Sequence, residues 1–256
     1  MPEESGVLLV RDGSVATITM TEVALSNHLK TSLRDTVAEV GADPTIRAVV
    51  LTGSGKAFCA GQDLGEHAAA LRADAAHALD TVDEHYNPIV LGLATMPKPV
   101  IAAVNGLCFG AGLGFALACD LRIASSKAKF GTAFTAIGLT CDSGLSVTLA
   151  RAVGAARASE LVLLAGTFTA ADALAWGIVG KVVEPEQLAA ETAALATKLA
   201  DGPTLAYAEA KRAMAVSLEQ ALANEGAGQK RLGVTEDHRN AVEAFLAKDT
   251  PKFHGR

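Results

Sequence analysis

Two segments of the chain carry the same grammar: a buried apolar run, a glycine turn, then a helix. One is LTGSGKAFCAGQDL, residues 51–64, and the other is AVNGLCFGAGLGFALACD, residues 103–120. A turn this small brings bare backbone to a surface. At Gly110-Ala111-Gly112 the first N–H groups of a helix lack intrahelical acceptors, and the helix dipole favours negative charge there. If the N–H groups of Gln62 and Ala111 converge, they form an oxyanion hole for an enolate or a tetrahedral oxyanion. Each such donor is typically worth about 10²–10³ in rate. The alternative is a pair of ordinary turns, since glycine-rich turns after strands are common. The segments are not a P-loop, because no Gly-Lys-Ser/Thr follows at the required spacing. They are a poor dinucleotide fingerprint too, with the glycines at mid-chain and no acidic ribose partner in place.

The elements that hold these turns follow from periodicity. Val7–Val10 and Val15–Met20 flank Arg11-Asp-Gly-Ser14 and read as a hairpin. Residues Asn27–Val40 have helical spacing, with Leu29, Leu33 and Val37 on one face. Ala48–Leu51, Val100–Val104, Leu121–Ala124 and Lys129–Gly131 read as strands. Residues 67–81 read as a helical excursion, and Val82–Thr95 as one helix ending before Pro97. A helix follows Gly110 to about Cys119. From Gly144 onward the pattern is helical: Leu145–Val153, Ala156–Ala165, Ala170–Trp176, Pro185–Ala200, Thr204–Ala215, Leu218–Leu232 and His238–Ala247. Mixed strands and helices first, helices last, indicate one α/β core with a C-terminal helical region.

Composition limits the function classes. Of 256 residues, 50% are hydrophobic and 4% aromatic, and the formal net charge is −6. No basic run or basic-aromatic interleaving points to nucleic acid. None of the four cysteines, Cys59, Cys108, Cys119 and Cys141, forms a C-x-x-C pair, so a zinc or redox motif is not indicated. The first residues lack a signal-peptide apolar core, and no apolar run has the length of a membrane span. The expectation is a cytoplasmic protein with no metal.

The segments KAFCAGQDL (56–64), MPKPVIAAVNGLCFGAGLGFALACDLRIASSKAKFG (96–131), LARAVGAARASELVLLAGTFTAADALAWGIVGKVV (149–183) and AVEAFLAK (241–248) resemble the crotonase, or enoyl-CoA hydratase/isomerase, superfamily. Within it the chain is similar to 1,2-epoxyphenylacetyl-CoA isomerase-like members, through FCAGQDL, YNP (86–88), PKPVI, GAG, the Ala133-Phe134 pair and an Asp at position 142. The resemblance implies a ββα spiral core over residues 1–195 and a helical trimerisation region over 196–256. It implies an acyl-CoA substrate, a homotrimer or dimer of trimers, and no cofactor beyond CoA as part of the substrate. Gln62 and Ala111 take the positions of the two oxyanion donors. Ala57, Ala60, Asp63 and Leu64 take positions along the adenine and pantetheine path. Lys248 matches a lysine that reaches the CoA phosphates in relatives.

The resemblance does not fix the chemistry. Classical hydratases of this kind hold water with two glutamates, and those positions are Gly114 and Phe134 here. One carboxylate remains nearby, Asp142 in GLTCDSG (138–144), where double-bond isomerases resemble this chain in placing a lone acid. With Phe109, Phe134 and Leu139 around it, Asp142 is expected to act as general acid/base in an apolar pocket. Read locally, Asp-Ser-Gly before a helix is instead a capping sequence. Aryl-CoA dehalogenases are similar around residues 138–154, but their histidine and tryptophan partners would be Asn87 and Phe134. Thioester hydrolysis, residual hydration and a catalytically silent CoA-binding protein stay open. The N-terminal loop is compressed to ITMTEVALSNHLK (18–30), which puts the usual CoA contacts around Ala24 and Leu25 in doubt.

Overall fold

The computed structural model describes residues 6–214, 229–232 and 234–256. The hairpin forms β1 (Val7–Asp12) and β2 (Val15–Met20), paired antiparallel, and α1 (Asn27–Ala42) follows. Ser26 caps α1 by accepting a hydrogen bond from the Leu29 N–H, and the expected stripe of Leu29, Leu33 and Val37 is buried. The chain then repeats a unit of two strands and a helix. The first unit is β3 (Ala48–Gly53), β4 (Ala57–Cys59) and α2 (Leu64–Ala73). The second has β5 (Val100–Val104), β6 (Leu107–Phe109) and α4 (Ala111–Ala118), with α3 (Asn87–Thr95) leading into it. In the third, β7 (Leu121–Ser125) and β8 (Lys129–Gly131) precede α5 (Leu145–Val153) and α6 (Ala155–Leu164).

Each unit gives one strand to each of two sheets, which is the expected ββα spiral. The larger sheet has the order β1-β2-β3-β5-β7-β10 and is parallel from β2 onward, with β10 at Lys181–Val183. The smaller has the order β4-β6-β8-β9, where β9 (Phe168–Thr169) runs antiparallel at the edge. At the centre of the large sheet both faces are covered, so β3 and β5 read as continuous apolar runs. Val49 and Leu51 of β3 and Val100, Ala102 and Val104 of β5 face the core between the sheets. Their alternates Val50, Ile101 and Ala103 face Leu188 and Ala196 of α8 (Leu188–Ala200). That helix spans the 195/196 boundary. Beyond it lie α9 (Thr204–Met214) and α10 (Glu236–Ala247), while α7 (Ala170–Ala175) precedes β10.

Two sequence expectations meet a different outcome. Strands β4 and β6 read as loop in sequence, because each has three residues and they pair with each other across about fifty positions. The helix expected over Val82–Thr95 is split: Val82–Tyr86 is a π turn, with Asn87 N–H bonded to Val82 O, and α3 begins at Asn87 with Pro88 in its first turn. Pro88 has no N–H to give, so the register can change there without losing an α-helical bond. The helix expected over Leu218–Leu232 lies largely outside the described residues.

The C-terminal helices are tied to the spiral by buried polar contacts. Lys211 Nζ on α9 sits 2.7 Å from Asp120 Oδ2, with its side chain 9% exposed, and also donates to Lys98 O at 3.0 Å. Asp120 Oδ2 in turn accepts from Val100 N–H at 2.8 Å, at the start of β5. Lys211→Met leaves that carboxylate without its cation. It should lower unfolding free energy by about 2–4 kcal/mol in urea denaturation, less than a fully buried pair because Asp120 keeps some exposure.

Candidate active site

Strands β4 and β6 run parallel, with Ala57 opposite Leu107 and Cys59 opposite Cys108. Their C-terminal ends therefore emerge side by side, and each turns at a glycine with positive φ: Gly61 at +92° and Gly110 at +54°. The turns touch, since a Cβ added to Gly110 would stand 4.0 Å from Gly61 Cα. Gln62 and Ala111 follow these two glycines. The chain at Gln62 is also laced to the N-terminal loop. Leu25 N–H donates to Gly61 O at 2.8 Å, and Asp63 N–H to Leu25 O at 3.3 Å. A residue between two such bonds in a parallel ladder points its own N–H to the other side. Ala111 is the first residue of α4, so its N–H has no intrahelical acceptor. Among the described residues neither N–H has an acceptor. Two free donors on adjoining turns, one at a helix N-terminus, are groups of the kind that can stabilise an anion. The compressed N-terminal loop still reaches the site, because Ala60 N–H also donates to Val23 O at 2.8 Å.

The side chains around these turns take distinct places. Gln62 turns outward to His67, with Nε2 3.3 Å from Nδ1. Asp63 caps α2 by accepting from Glu66 N–H at 2.8 Å. Leu64 is exposed at the rim, Ala57 is buried within β4, and Ala60 is half-buried on the turn. Cys59 is fully buried, which pushes its thiol up to about 12 and leaves it inert. Lys248 follows α10 and begins the C-terminal tail, which folds back onto the first turn of that helix. Asp237 of α10 accepts from His254 and Gly255 N–H, and Phe253 O accepts from Arg47 at 3.1 Å. Arg47 precedes β3, at the opposite end from the turn leading to Gln62.

Asp142 lies on the turn that packs against α4. Its carboxylate does not cap α5: the capping residue is Gly144, with φ +68° and no side-chain bond. Instead Asp142 Oδ1 accepts from Ser143 Oγ at 2.7 Å. Burial pushes the Asp142 carboxyl above its ordinary value, and the Ser143 hydrogen bond holds back part of that rise. Cys141 beside it is also raised, by burial first and then by Asp142, so it is not a thiolate. Ser143 is buried at φ +52°, and Ala133, next to the buried Phe134, has φ +65°. Non-glycine residues in this region are strained, and here each adjoins a site residue. Nothing in the residue pattern marks Ser143 beyond its place in an apparent capping triplet. Phe134 is packed by Gly110, its Cζ 3.8 Å from where a Cβ would be, and Phe109 leans over Gly131.

Gly114, one of the two positions where classical hydratases carry a glutamate, has no room for a side chain. A Cβ there would stand 2.5 Å from Ser143 Cβ and 2.8 Å from Ser143 O. The glycine is what lets the Asp142 turn lie against α4. Among the described residues no group of three His, Cys, Asp or Glu side chains is placed to hold a metal ion. No helix among them is long and apolar enough to cross a membrane.

Residues 11–256 match the family model described as enoyl-CoA hydratase/isomerase. The chain is 39% identical over 237 residues to the 1,2-epoxyphenylacetyl-CoA isomerase of Escherichia coli, covering 91% of this chain and 90% of that protein. It is 34% identical over 260 residues to the short-chain-enoyl-CoA hydratase of Clostridium acetobutylicum, covering 96% of each. Among solved structures, a Mycobacterium abscessus protein named for the same hydratase/isomerase group superposes with a TM-score of 0.93 at 47% identity, over 98% of this chain and all 100% of that one. The enoyl-CoA hydratase of Bacillus anthracis gives 0.90 at 30% identity, again over 98% and 100%.

Two outcomes test this geometry. Gly114→Ala forces Ser143 backbone to move and should cost about 1–3 kcal/mol in chemical denaturation. Asp142 has a raised folded pKa, so it adds stability while protonated, below the ordinary carboxylate value. That contribution is lost as pH rises through its folded pKa. Asp142→Asn, which stays neutral, should therefore match the parent protein near pH ~4 and exceed it in stability near pH ~7.

Proposed function

Because the chain belongs to the enoyl-CoA hydratase/isomerase family, we propose that it is an acyl-CoA isomerase in which Asp142 is the general acid/base. The observation that carries this reading is the lone carboxylate: Asp142 is half-buried on the turn that packs against α4, the helix that starts at Ala111, while the two hydratase glutamate positions are a glycine packed against Ser143 and a buried phenylalanine. Water held for addition across a double bond needs a base on it, and neither position supplies one. A single carboxylate suits proton transfer from one carbon and return to another. Relatives named as isomerase and as hydratase are both similar to this chain, so the reading rests on the lone carboxylate and not on the similarity.

In this mechanism the thioester oxygen accepts hydrogen bonds from Gln62 and Ala111 N–H, which acidifies the α-carbon. Asp142, ionised, removes the α-proton, and the electron pair moves onto the thioester oxygen as an enolate. The enolate then collapses with the double bond displaced, taking the proton back from Asp142 at the other carbon. The raised pKa narrows the gap between carboxyl and carbon acid and lets one group serve in both directions. CoA enters as part of the substrate, and the reading calls for no metal or redox group. A homotrimer or dimer of trimers in the cytoplasm is part of the same proposal. Leu163 and Leu164 at the end of α6, 72% and 74% exposed, are apolar surface that a second subunit would cover.

The test is incubation with unsaturated and aryl-acetyl-CoA thioesters in deuterated water, following mass and double-bond position. Deuterium uptake with migration is expected, and Asp142→Asn should slow it about 10²–10⁴-fold while thioester affinity is retained. Free CoA would indicate hydrolysis, and a hydroxyacyl product hydration. Binding without exchange would indicate a silent CoA-binding protein.

A further inference from the structure

Among the described residues, two buried side-chain oxygens lack a hydrogen-bond partner: Tyr86 Oη and Thr192 Oγ1. Thr192 lies on α8, against the outer face of the large sheet. Tyr86 is fully buried. Buried polar groups are nearly always satisfied, and one that is not points to a partner that arrives with a ligand or water.

Several placements put the phenol beside the Asp142 turn. The π turn Val82–Tyr86 adds a residue just before α3 and fixes how Tyr86 enters it; such turns recur at functional sites. Val90, four residues later on the same helical face, packs on Gly144, with its Cγ1 3.5 Å from where a Cβ would be. The Tyr86 ring meets Phe115 of α4 edge-on, with centroids 6.0 Å apart, and the preceding residue, Gly114, abuts Ser143. Burial first, and then the Asp142 charge, push the phenol's pKa upward, so it keeps its proton through neutral pH. Yet the two groups do not bond: Asp142 Oδ1 accepts from Ser143, and Tyr86 Oη has no partner. Thr81 Oγ1 acts on the phenol as a hydrogen-bonding neighbour that draws its pKa back down, but the pair falls outside hydrogen-bond geometry, and Thr81 Oγ1 meets His85 Nδ1 at 3.2 Å.

We propose that Tyr86 contacts substrate: its phenol donates a hydrogen bond to an oxygen carried on the acyl group beyond the thioester, near the carbons served by Asp142. The site thereby favours acyl groups bearing a hydroxyl or carbonyl over hydrocarbon ones. This deepens the isomerase reading and rests on it for where the acyl group lies. A buried donor that stays unpaired with the wrong ligand discriminates more strongly than an apolar wall does.

The experiment compares phenylacetyl-CoA with 2-hydroxyphenylacetyl-CoA on the parent protein and on Tyr86→Phe, by calorimetric Kd, thermal midpoint and α-deuterium exchange. The parent protein should bind the hydroxylated thioester about ten- to a hundredfold tighter. Tyr86→Phe should erase that preference, leave phenylacetyl-CoA affinity unchanged, and melt at the same or a higher temperature. A parent protein without the preference overturns the proposal. So does a variant that keeps it, or one that loses both ligands alike and melts lower, which makes the phenol structural. The two readings fail separately. A Tyr86-dependent preference without exchange upholds the contact and rejects the isomerase; exchange lost in Asp142→Asn with a preference indifferent to Tyr86 does the reverse.

Discussion

The parallel pairing of β4 with β6 is the constraint on which the rest depends. Each strand is three residues long and would contribute little alone. Paired, they deliver two glycine turns to the same point, where Gly61 and Gly110 lie in contact. The spiral exists around that meeting. Successive units place β3 beside β5 in one sheet and β4 beside β6 in the other, so turns about fifty residues apart become neighbours. The backbone then supplies what side chains do elsewhere in catalysis. Donors fixed in a folded ladder and at a helix start need no reorganisation when charge develops.

A second fit sets the chemistry that this pair can serve. The turn carrying Asp142 lies against α4 because residue 114 has no side chain, and Ser143 fills the space a glutamate would begin from. A side chain at position 114 and the present path of the Asp142 turn therefore exclude each other. Ser143 is held at positive φ and donates to Asp142, so the strain and the hydrogen bond belong to the same two residues. Tyr86 closes this corner from α3, its hydroxyl left without a protein partner beside a carboxylate already committed to Ser143.

Much of this was legible in the residues, and the remainder was hidden for identifiable reasons. Ala48–Leu51 and Val100–Val104 announce strands buried on both faces, and the stripe Leu29, Leu33, Val37 announces α1. The unpaired N–H groups of Gln62 and Ala111 could be inferred from strand, glycine and helix in succession. The small sheet could not, because three-residue strands such as Ala57–Cys59 carry no period and their partners are distant. The π turn was hidden by an unbroken helical pattern over Val82–Thr95. The capping look of Asp142-Ser-Gly misleads locally, since the cap falls on Gly144 and the Asp142 carboxylate accepts from Ser143 Oγ instead.

The central claim is that two backbone N–H groups, from Gln62 and Ala111, converge on the thioester oxygen. The most direct measurement is the infrared difference spectrum of an acyl-CoA labelled with ¹³C at the thioester carbonyl, free and bound. The account predicts a carbonyl band shifted to lower frequency on binding, and the same shift in Asp142→Asn, because the polarising donors are backbone. A bound carbonyl that absorbs where the free thioester does would contradict it.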